Sequence, residues 1–270
     1  MITHISSADN SRVKLVRKLA SRKGRETESK FVAEGVNLVS ELTAGNHEIE
    51  FLLMSESFVL DETNRRKQAI LSYAEKTGCD ACSVDDRIFS KLSDAEHGVD
   101  VMAVVRTEKL DASFAYSLPA GDNILVCDRL QDPGNMGTII RTAVAAGYGA
   151  VMTLPGTVDV YSPKVLRATA GMVFEIPIIS VKSEDELFDV SRKSGRKTAV
   201  TVPEGGTEYY LEDLSRDTAL VIGNEGRGAS KSIIDRADVK VTIPMKGNIE
   251  SLNAATAASI LMYETIRNNR

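Results

Sequence analysis

Three short loops concentrate the side chains that could do chemistry. The first is Gln131-Asp-Pro-Gly-Asn-Met-Gly137, with Arg141 shortly after it; the second is Gly223-Asn-Glu-Gly-Arg-Gly228; the third runs from Lys246-Gly-Asn248 to Ser251-Leu-Asn253. Glycine lacks a Cβ, so it reaches left-handed backbone angles and lets a ligand touch the main chain. Glycines beside Asn135 and Glu225, and Gly247 ahead of Asn253, therefore describe ligand cradles, and also describe ordinary turns; taken alone they favour the turn. One class is excluded. The order Gly223-x-x-Gly226-x-Gly228 reverses the dinucleotide fingerprint and lacks the acidic residue that such a site needs downstream.

The elements that must position these loops are legible beside them. Asn123-Ile-Leu-Val-Cys-Asp128, Ala219-Leu-Val-Ile222 and Val239-Lys-Val-Thr-Ile-Pro-Met245 read as strands, each ending in one of the loops. Helices are predicted from Thr138 to Ala146 and from Ser251 to about Ile266, the second opening near a Ser that can cap it. Between them the spacing predicts strands at Ala150–Leu154, Phe174–Ile179 (interrupted by Pro177) and Thr198–Val202, and helices at Ser162–Ala170 and Glu184–Ser194. Strand and helix in alternation imply an open parallel α/β sheet over residues 122–270. Ahead of it, a basic amphipathic helix from Asn10 to Arg22 precedes strands at Phe31–Ala33, Ile49–Ser55, Ala81–Val84 and Val99–Val105. Helices over Gly35–Thr43, Arg65–Lys76 and Asp85–Leu92 separate them. Residues 1–107 thus form a smaller α/β domain, and the polar stretch 108–121 reads as a linker.

The chain has 270 residues, 43% of them hydrophobic and 26% charged, the composition of a globular protein with room for two domains and a sizeable core. It shows no apolar run of membrane-spanning length and no signal-peptide core, so a cytoplasmic location without membrane attachment is the expectation. Three cysteines do not make a disulfide framework, Cys79-x-x-Cys82 stands without a second pair, and His4, His47 and His97 are scattered; no metal is expected. A net charge of −5 argues against indiscriminate coating of nucleic acid. Locally, however, Arg12, Lys14, Arg17, Lys18, Arg22, Lys23, Arg25 and Lys30 face only Glu26 and Glu28. Such a stripe is either a solvated helix face or an edge that contacts RNA phosphates, with Arg17, Lys18, Arg22 and Lys23 as the contacting side chains.

Taken jointly, Asp132-Pro-Gly-Asn135 with Arg141, Asn224-Glu-Gly226 after a buried strand, and Ile243-Pro with Ser251-Leu-Asn253 resemble the three motifs of the SpoU (TrmH-type) branch of the SPOUT RNA methyltransferases. They fall in the family's order across Asn123 to Arg270, about half of the chain. The resemblance implies a SPOUT-type parallel-sheet domain whose last strands and helix thread a deep trefoil knot, an exception to the rule that chains avoid knots. It implies that the first domain is the ribosomal-protein-like, RNA-binding kind found ahead of such domains. The match there is looser: Ala95-Glu-His-Gly98 stands where many relatives have a Pro-Gln-Gly-like run. It further implies S-adenosylmethionine as cofactor, with Thr201, Gly223, Ile243 and Leu252 around it, and a homodimer formed beside the cofactor through the small-residue helix Ser251–Ile266.

The reaction so implied is methyl transfer to a ribose 2′-hydroxyl of RNA, with ribosomal RNA favoured over transfer RNA by the amino-terminal domain. Arg141, Glu225 and Asn253 are the catalytic candidates: Arg141 as activator of the hydroxyl or as phosphate clamp, Glu225 orienting Arg141 or the incoming ribose, Asn253 donating and accepting in the same cluster. Asn135, Arg167 and Ser251 are assigned to the substrate; Arg167 is also open to reading as a surface residue, and Ser251 as a helix cap. Two rivals stand against this reading: a non-catalytic RNA-binding or assembly protein of the same fold, and a small-molecule nucleotide enzyme. The joint presence of Asn135, Arg141, Glu225 and Asn253 argues against the first, and the basic helix against the second.

Overall fold

The computed structural model describes residues 2–45, 47–93, 99–247 and 251–268. Ala95-Glu-His-Gly98 and Asn248 lie outside the described residues. The chain divides into two compact units, one of residues 1–108 with 161–171, the other of 109–160 with 172–270.

The first unit is built on five strands, β1 (Thr3–Ile5), β2 (Lys30–Glu34), β3 (Ile49–Ser55), β4 (Asp80–Val84) and β5 (Val101–Arg106), in the order β1-β4-β3-β5-β2. The β1, β4 and β3 pairings are parallel, whereas β5 runs antiparallel to β3 and β2. Val13, Val16 and Leu19, one face of the first helix, are buried with Phe51, Leu53, Val84 and Val104. That helix stops at Leu19, short of the expected Arg22. A second helix, Arg22–Glu28, starts under a Ser21 cap, and the buried Arg25 donates to the carbonyl oxygens of Leu19 and Ala20, both at 2.8 Å. These bonds satisfy carbonyls that a helix end otherwise leaves open. The second helix escapes periodicity because it buries only Gly24 and Arg25.

The second unit contains β6 (Leu110–Asp111), β7 (Ile124–Cys127), β8 (Ala150–Thr153), β9 (Ile178–Ser180), β10 (Lys197–Thr201), β11 (Thr207–Glu208), β12 (Thr218–Ile222) and β13 (Val239–Thr242). Their order is β11-β13-β10-β12-β7-β8-β9-β6, and every pairing is parallel. A parallel sheet covered on both faces needs continuous apolar strands, which is why Ile124 to Cys127 and Thr218 to Ile222 are buried without a break. Helices Pro133–Ala145 and Ala254–Asn268 pack together, with Thr142 and Ser259 hydroxyls 3.3 Å apart.

Two stretches depart from the sequence reading. The expected linker 108–121 is not free: it supplies β6 at the sheet edge and a 3-10 turn, Ala112–Ser117, whose Ala112 and Ala115 are buried in the core of the second unit. The helix Pro163–Thr169, expected within the second domain, belongs to the first unit instead. There Tyr161 stacks on Phe31 at 4.9 Å, and Arg167 pairs at 2.8 Å with Glu34, a carboxylate only 6% exposed. Among the described residues no helix is long and apolar enough to cross a membrane.

Candidate functional site

All three motif loops leave the carboxyl ends of parallel strands: 128–132 after β7, 223–229 after β12, 243–253 after β13. This is the edge at which open α/β sheets bind ligands. A cavity of about 520 Å³ opens there. Thr201, Gly223, Ile243 and Leu252 line it, together with Glu225 and Ser251.

The second loop closes on itself. Asn224 and Gly228 exchange backbone hydrogen bonds of 3.0 and 2.8 Å, while the Asn224 side-chain oxygen accepts from the N–H groups of Gly226 and Arg227, both at 3.1 Å. The glycines in it serve different ends. A Cβ on Gly223 would stand 2.0 Å from the Ala229 nitrogen, so the returning loop itself excludes a side chain, and Gly228 holds a left-handed φ of 67°. Gly226 has room: an added Cβ would meet only Asn224 Oδ1, at 3.8 Å.

Glu225 anchors the first loop to the second. Its carboxylate accepts from the backbone N–H groups of Gln131 (3.1 Å) and Asp132 (3.0 Å), from Asn135 Nδ2 (3.2 Å) and from Asn224 Nδ2 (3.4 Å). Burial alone would raise its pKa, but the N–H donors of Asp132, of its own backbone, of Asn135 and of Gln131 outweigh that and hold it below the ordinary 4.5. Glu225 is thus a standing anion and a poor general base. The chain of bonds continues through the amides. Asn135 Oδ1 accepts from Asn253 Nδ2 at 2.8 Å, and Asn253 Oδ1 accepts from the N–H groups of Ala255 (2.9 Å) and Thr256 (3.2 Å). Asn253, not Ser251, is therefore the cap of the last helix, which starts at Ala254; Ser251 is exposed at the cavity. Each amide now has one orientation, because the helix N–H groups fix Asn253 and Asn253 fixes Asn135.

Arg141 stands apart from this chain. Six residues beyond Asn135 on one helix, it lies about 9 Å along the axis and roughly 120° around it. Its side chain is exposed and has no hydrogen-bond or ion-pair partner among the described residues. Glu225 therefore does not orient Arg141 within this chain; its lone pairs are taken by the loop beneath it.

Two family models match the chain. The model of the SpoU rRNA methylase family covers residues 122–263, and that of the MRM3-like substrate binding domain covers residues 10–103. The chain belongs to the SpoU rRNA methylase family. A 23S rRNA guanosine 2′-O-methyltransferase of Bacillus subtilis, RlmP, is 34% identical over 96% of this chain and 97% of its own. Among solved structures, the AdoMet-bound rRNA methyltransferase of Sinorhizobium meliloti superposes with a TM-score of 0.84 at 28% identity, covering 98% of both chains. The SpoU methyltransferase AviRb of Streptomyces viridochromogenes, in complex with AdoMet, gives 0.85 at 28% identity over 96% of this chain and 98% of that one.

Other SpoU-family positions are rearranged relative to expectation. Arg167 does not line the cavity: it is committed to Glu34, which also accepts from Ser93 at 2.7 Å. In the basic stripe, Lys18 pairs with Glu28 (2.5 Å), Arg22 with Glu26 (2.9 Å), Lys14 with Asp9 (2.9 Å) and Lys30 with Glu50 (2.7 Å). Arg12 is bound to Asp80 and Arg25 is buried. Arg17 and Lys23 remain exposed without an ion pair among the described residues. Cys79 and Cys127 are pushed up by burial to about 11 and about 12, and Cys82 is raised for the same reason, so none of the three presents a reactive thiolate at neutral pH.

Sequence reasoning missed part of the cavity wall: Pro203, Val241, Met245, Ala254 and Ala257, and Arg227 at its rim. The apolar ones are residues any core contains, and no local signal marks them. Arg227 was visible in the sequence as a cation inside the glycine loop; in the fold its side chain is exposed and unpaired among the described residues.

Proposed function

We propose that this protein transfers the methyl group of S-adenosylmethionine to a ribose 2′-hydroxyl of ribosomal RNA, with the cofactor in the cavity between the second and third loops. The observation that carries this reading is the convergence of Thr201, Gly223, Ile243 and Leu252 on one cavity, with the Glu225–Asn135–Asn253 chain beside it. The cavity suits the group. Its volume falls in the range of small-molecule sites, its apolar wall of Ile222, Val241, Ile243 and Leu252 suits a flat base, and the main chain of 223–228 offers polar groups to the remainder.

S-adenosylmethionine supplies, when bound, a methyl group activated on a sulfonium. The rest falls to the chain. Glu225, ionised at working pH, holds the loop 131–135 against the cofactor loop, and Asn135 and Asn253 present amides whose orientation is already fixed. Pre-set dipoles of this kind favour a reacting geometry without reorganisation. Arg141 offers a planar guanidinium free to engage an RNA phosphate and the ribose oxygen together, so phosphate clamp and hydroxyl activator are one role.

The protein acts as a homodimer. The helix Ala254–Asn268 buries Ala255, Ala258 and Leu261 in its own chain, yet leaves Tyr263 53% exposed, and the adjacent turn Tyr209–Leu211 leaves Leu211 69% exposed. Covering these side chains in a symmetric contact removes apolar surface from water. The knotted threading belongs to the same proposal; it is supported by the return of the chain from β13, on one side of β10, to pack against the helix that follows β7. The protein works in the cytoplasm.

Transfer of labelled methyl to unmodified cellular RNA, followed by size fractionation and mapping of the modified ribose, tests the activity. Label in ribosomal RNA supports it. Label confined to the transfer-RNA fraction moves the substrate, and cofactor binding without transfer to any RNA favours an RNA-binding assembly protein. Light scattering at micromolar concentration tests the dimer, which an active monomer would refute.

A further inference from the structure

We propose that Asp128 and Arg129 are positioning residues that clamp the cofactor loop 223–230 to the end of β7. The inference rests on the S-adenosylmethionine reading of the cavity, which neither residue lines. Asp128 is the first residue after β7 and is 2% exposed; Arg129 follows it in the left-handed backbone region, at φ 56°. A side chain held there without a glycine is uncommon and needs its surroundings to maintain it.

Those surroundings reach both ends of the cofactor loop. At the near end, Asn224 Nδ2 donates to the Arg129 carbonyl oxygen at 2.8 Å. At the far end, Ser230 N–H donates to Asp128 Oδ2 at 2.8 Å, and the Arg129 guanidinium donates to the Gly228 carbonyl at 3.4 Å. Across the middle, Arg129 forks onto Asp128 through Nε (2.9 Å) and Nη2 (3.0 Å). A third loop fixes the backbone: Arg129 N–H donates to Thr157 Oγ1 (3.1 Å), whose hydroxyl donates to the Cys127 carbonyl (2.9 Å). The residues between the two anchor points, Asn224 to Gly228, all line the cavity. Asp128 is buried whereas Arg129 is 36% exposed, so loss of the guanidinium leaves a buried carboxylate without its charged partner. Apart from the Glu225 carboxylate, which accepts from Gln131, Asp132 and Asn135, loop 223–230 is tied outside the clamp by Ser230 Oγ, which donates to Glu184 at 2.6 Å. Releasing the clamp therefore frees the cofactor wall while β7 and β12 stay paired.

The test compares Arg129→Lys, Arg129→Gly and Asp128→Asn with Asn123→Ala. Asn123 is a buried residue at the opposite end of β7 whose amide holds Leu214, Ser215 and Thr218, far along the strand from the cavity. Affinity for S-adenosylmethionine is measured by calorimetry at a temperature where circular dichroism shows each protein folded, and thermal midpoints are recorded separately. Arg129→Lys keeps the charge and loses the fork; Arg129→Gly relieves the backbone and loses the guanidinium. We expect each clamp variant to bind at least about tenfold more weakly, the scale on which misplaced binding groups lose function. Asn123→Ala should lower the midpoint with affinity within about twofold of the wild type, as for an uncoupled site. Arg129→Gly binding like the wild type would mean that the backbone alone sets the loop, and the clamp is wrong. A loss of affinity in Asn123→Ala equal to that in the clamp variants would reduce the effect to general stability and overturn it too. Wild-type protein that binds no S-adenosylmethionine would overturn the functional reading, and the clamp with it.

Discussion

Replacing Glu225 by Gln tests whether the two motif loops are held together by a carboxylate. The change keeps volume and one acceptor oxygen, but turns the other oxygen into an NH₂ group. In the folded protein that second oxygen, Oε2, accepts from the Gln131 N–H at 3.1 Å and from Asn224 Nδ2 at 3.4 Å, so the variant sets donor against donor at one end. A hydrogen bond to a charged group contributes about 1.5–3 kcal/mol when shielded from water. Glu225 is exposed, water can replace part of that, and the discounted loss is about 1–2 kcal/mol. The sign with pH follows from its lowered pKa. A carboxylate depressed in the folded state stabilises above its unfolded value, near 4.5, and loses that contribution as pH falls through the folded value. The gap between wild type and Glu225→Gln should therefore be full at pH 7 and shrink below about pH 4.5. Urea unfolding at a series of pH values reads the gap, and single-turnover methyl transfer reads its consequence, a slowing on the order of tenfold to a hundredfold through the loosened Asn135. A variant with wild-type stability and turnover at pH 7 would show that water serves the four donors equally well. A gap that persists unchanged into acid would show that the charge is not the cause.

Arg141→Ala should bind S-adenosylmethionine nearly normally, since Arg141 does not line the cavity, yet lose methyl transfer by a factor on the order of 100. Arg141→Lys should rescue little, because lysine lacks the fork; turnover at the wild-type rate in the lysine variant would leave only a point charge. Gly223→Ala should abolish cofactor binding through the 2.0 Å clash with Ala229, whereas Gly226→Ala, with space around it, should bind almost as well as the parent; calorimetry on both decides which glycines are structural. In the basic stripe, neutralising Arg17 and Lys23 should flatten the salt dependence of RNA binding by roughly 1.4, at about 0.7 per phosphate contact. Neutralising Lys18 and Arg22, already paired with Glu28 and Glu26, should change it less; the reverse order would show that the ion pairs open on RNA.

The sequence by itself determined the parallel sheet and the places where its loops bear function. Buried parallel strands must be apolar throughout, so β7 and β12 stood out as runs, and Asn135 and Glu225, which follow them, were already marked by neighbouring glycines. Residues that act through their main chain or through shape were legible only by resemblance: Thr201, Ile243 and Leu252 are ordinary core types in sequence and become a cavity wall only when β10 and β13 pair. Tertiary structure alone decided partnership. Helix phase put Arg141 on a different face from Asn135, leaving Glu225 to the backbone of residues 131–132. Folding turned Arg167 toward Glu34, and five ion pairs with the burial of Arg25 reduced a stripe of eight cations to two unpaired ones among the described residues. Composition records how many charges a segment has. Whether a charge is free depends on what stands a few ångströms from it, and the residues that stand there, Glu34 beside Arg167 or Ser230 beside Asp128, lie about a hundred positions or more away in the chain.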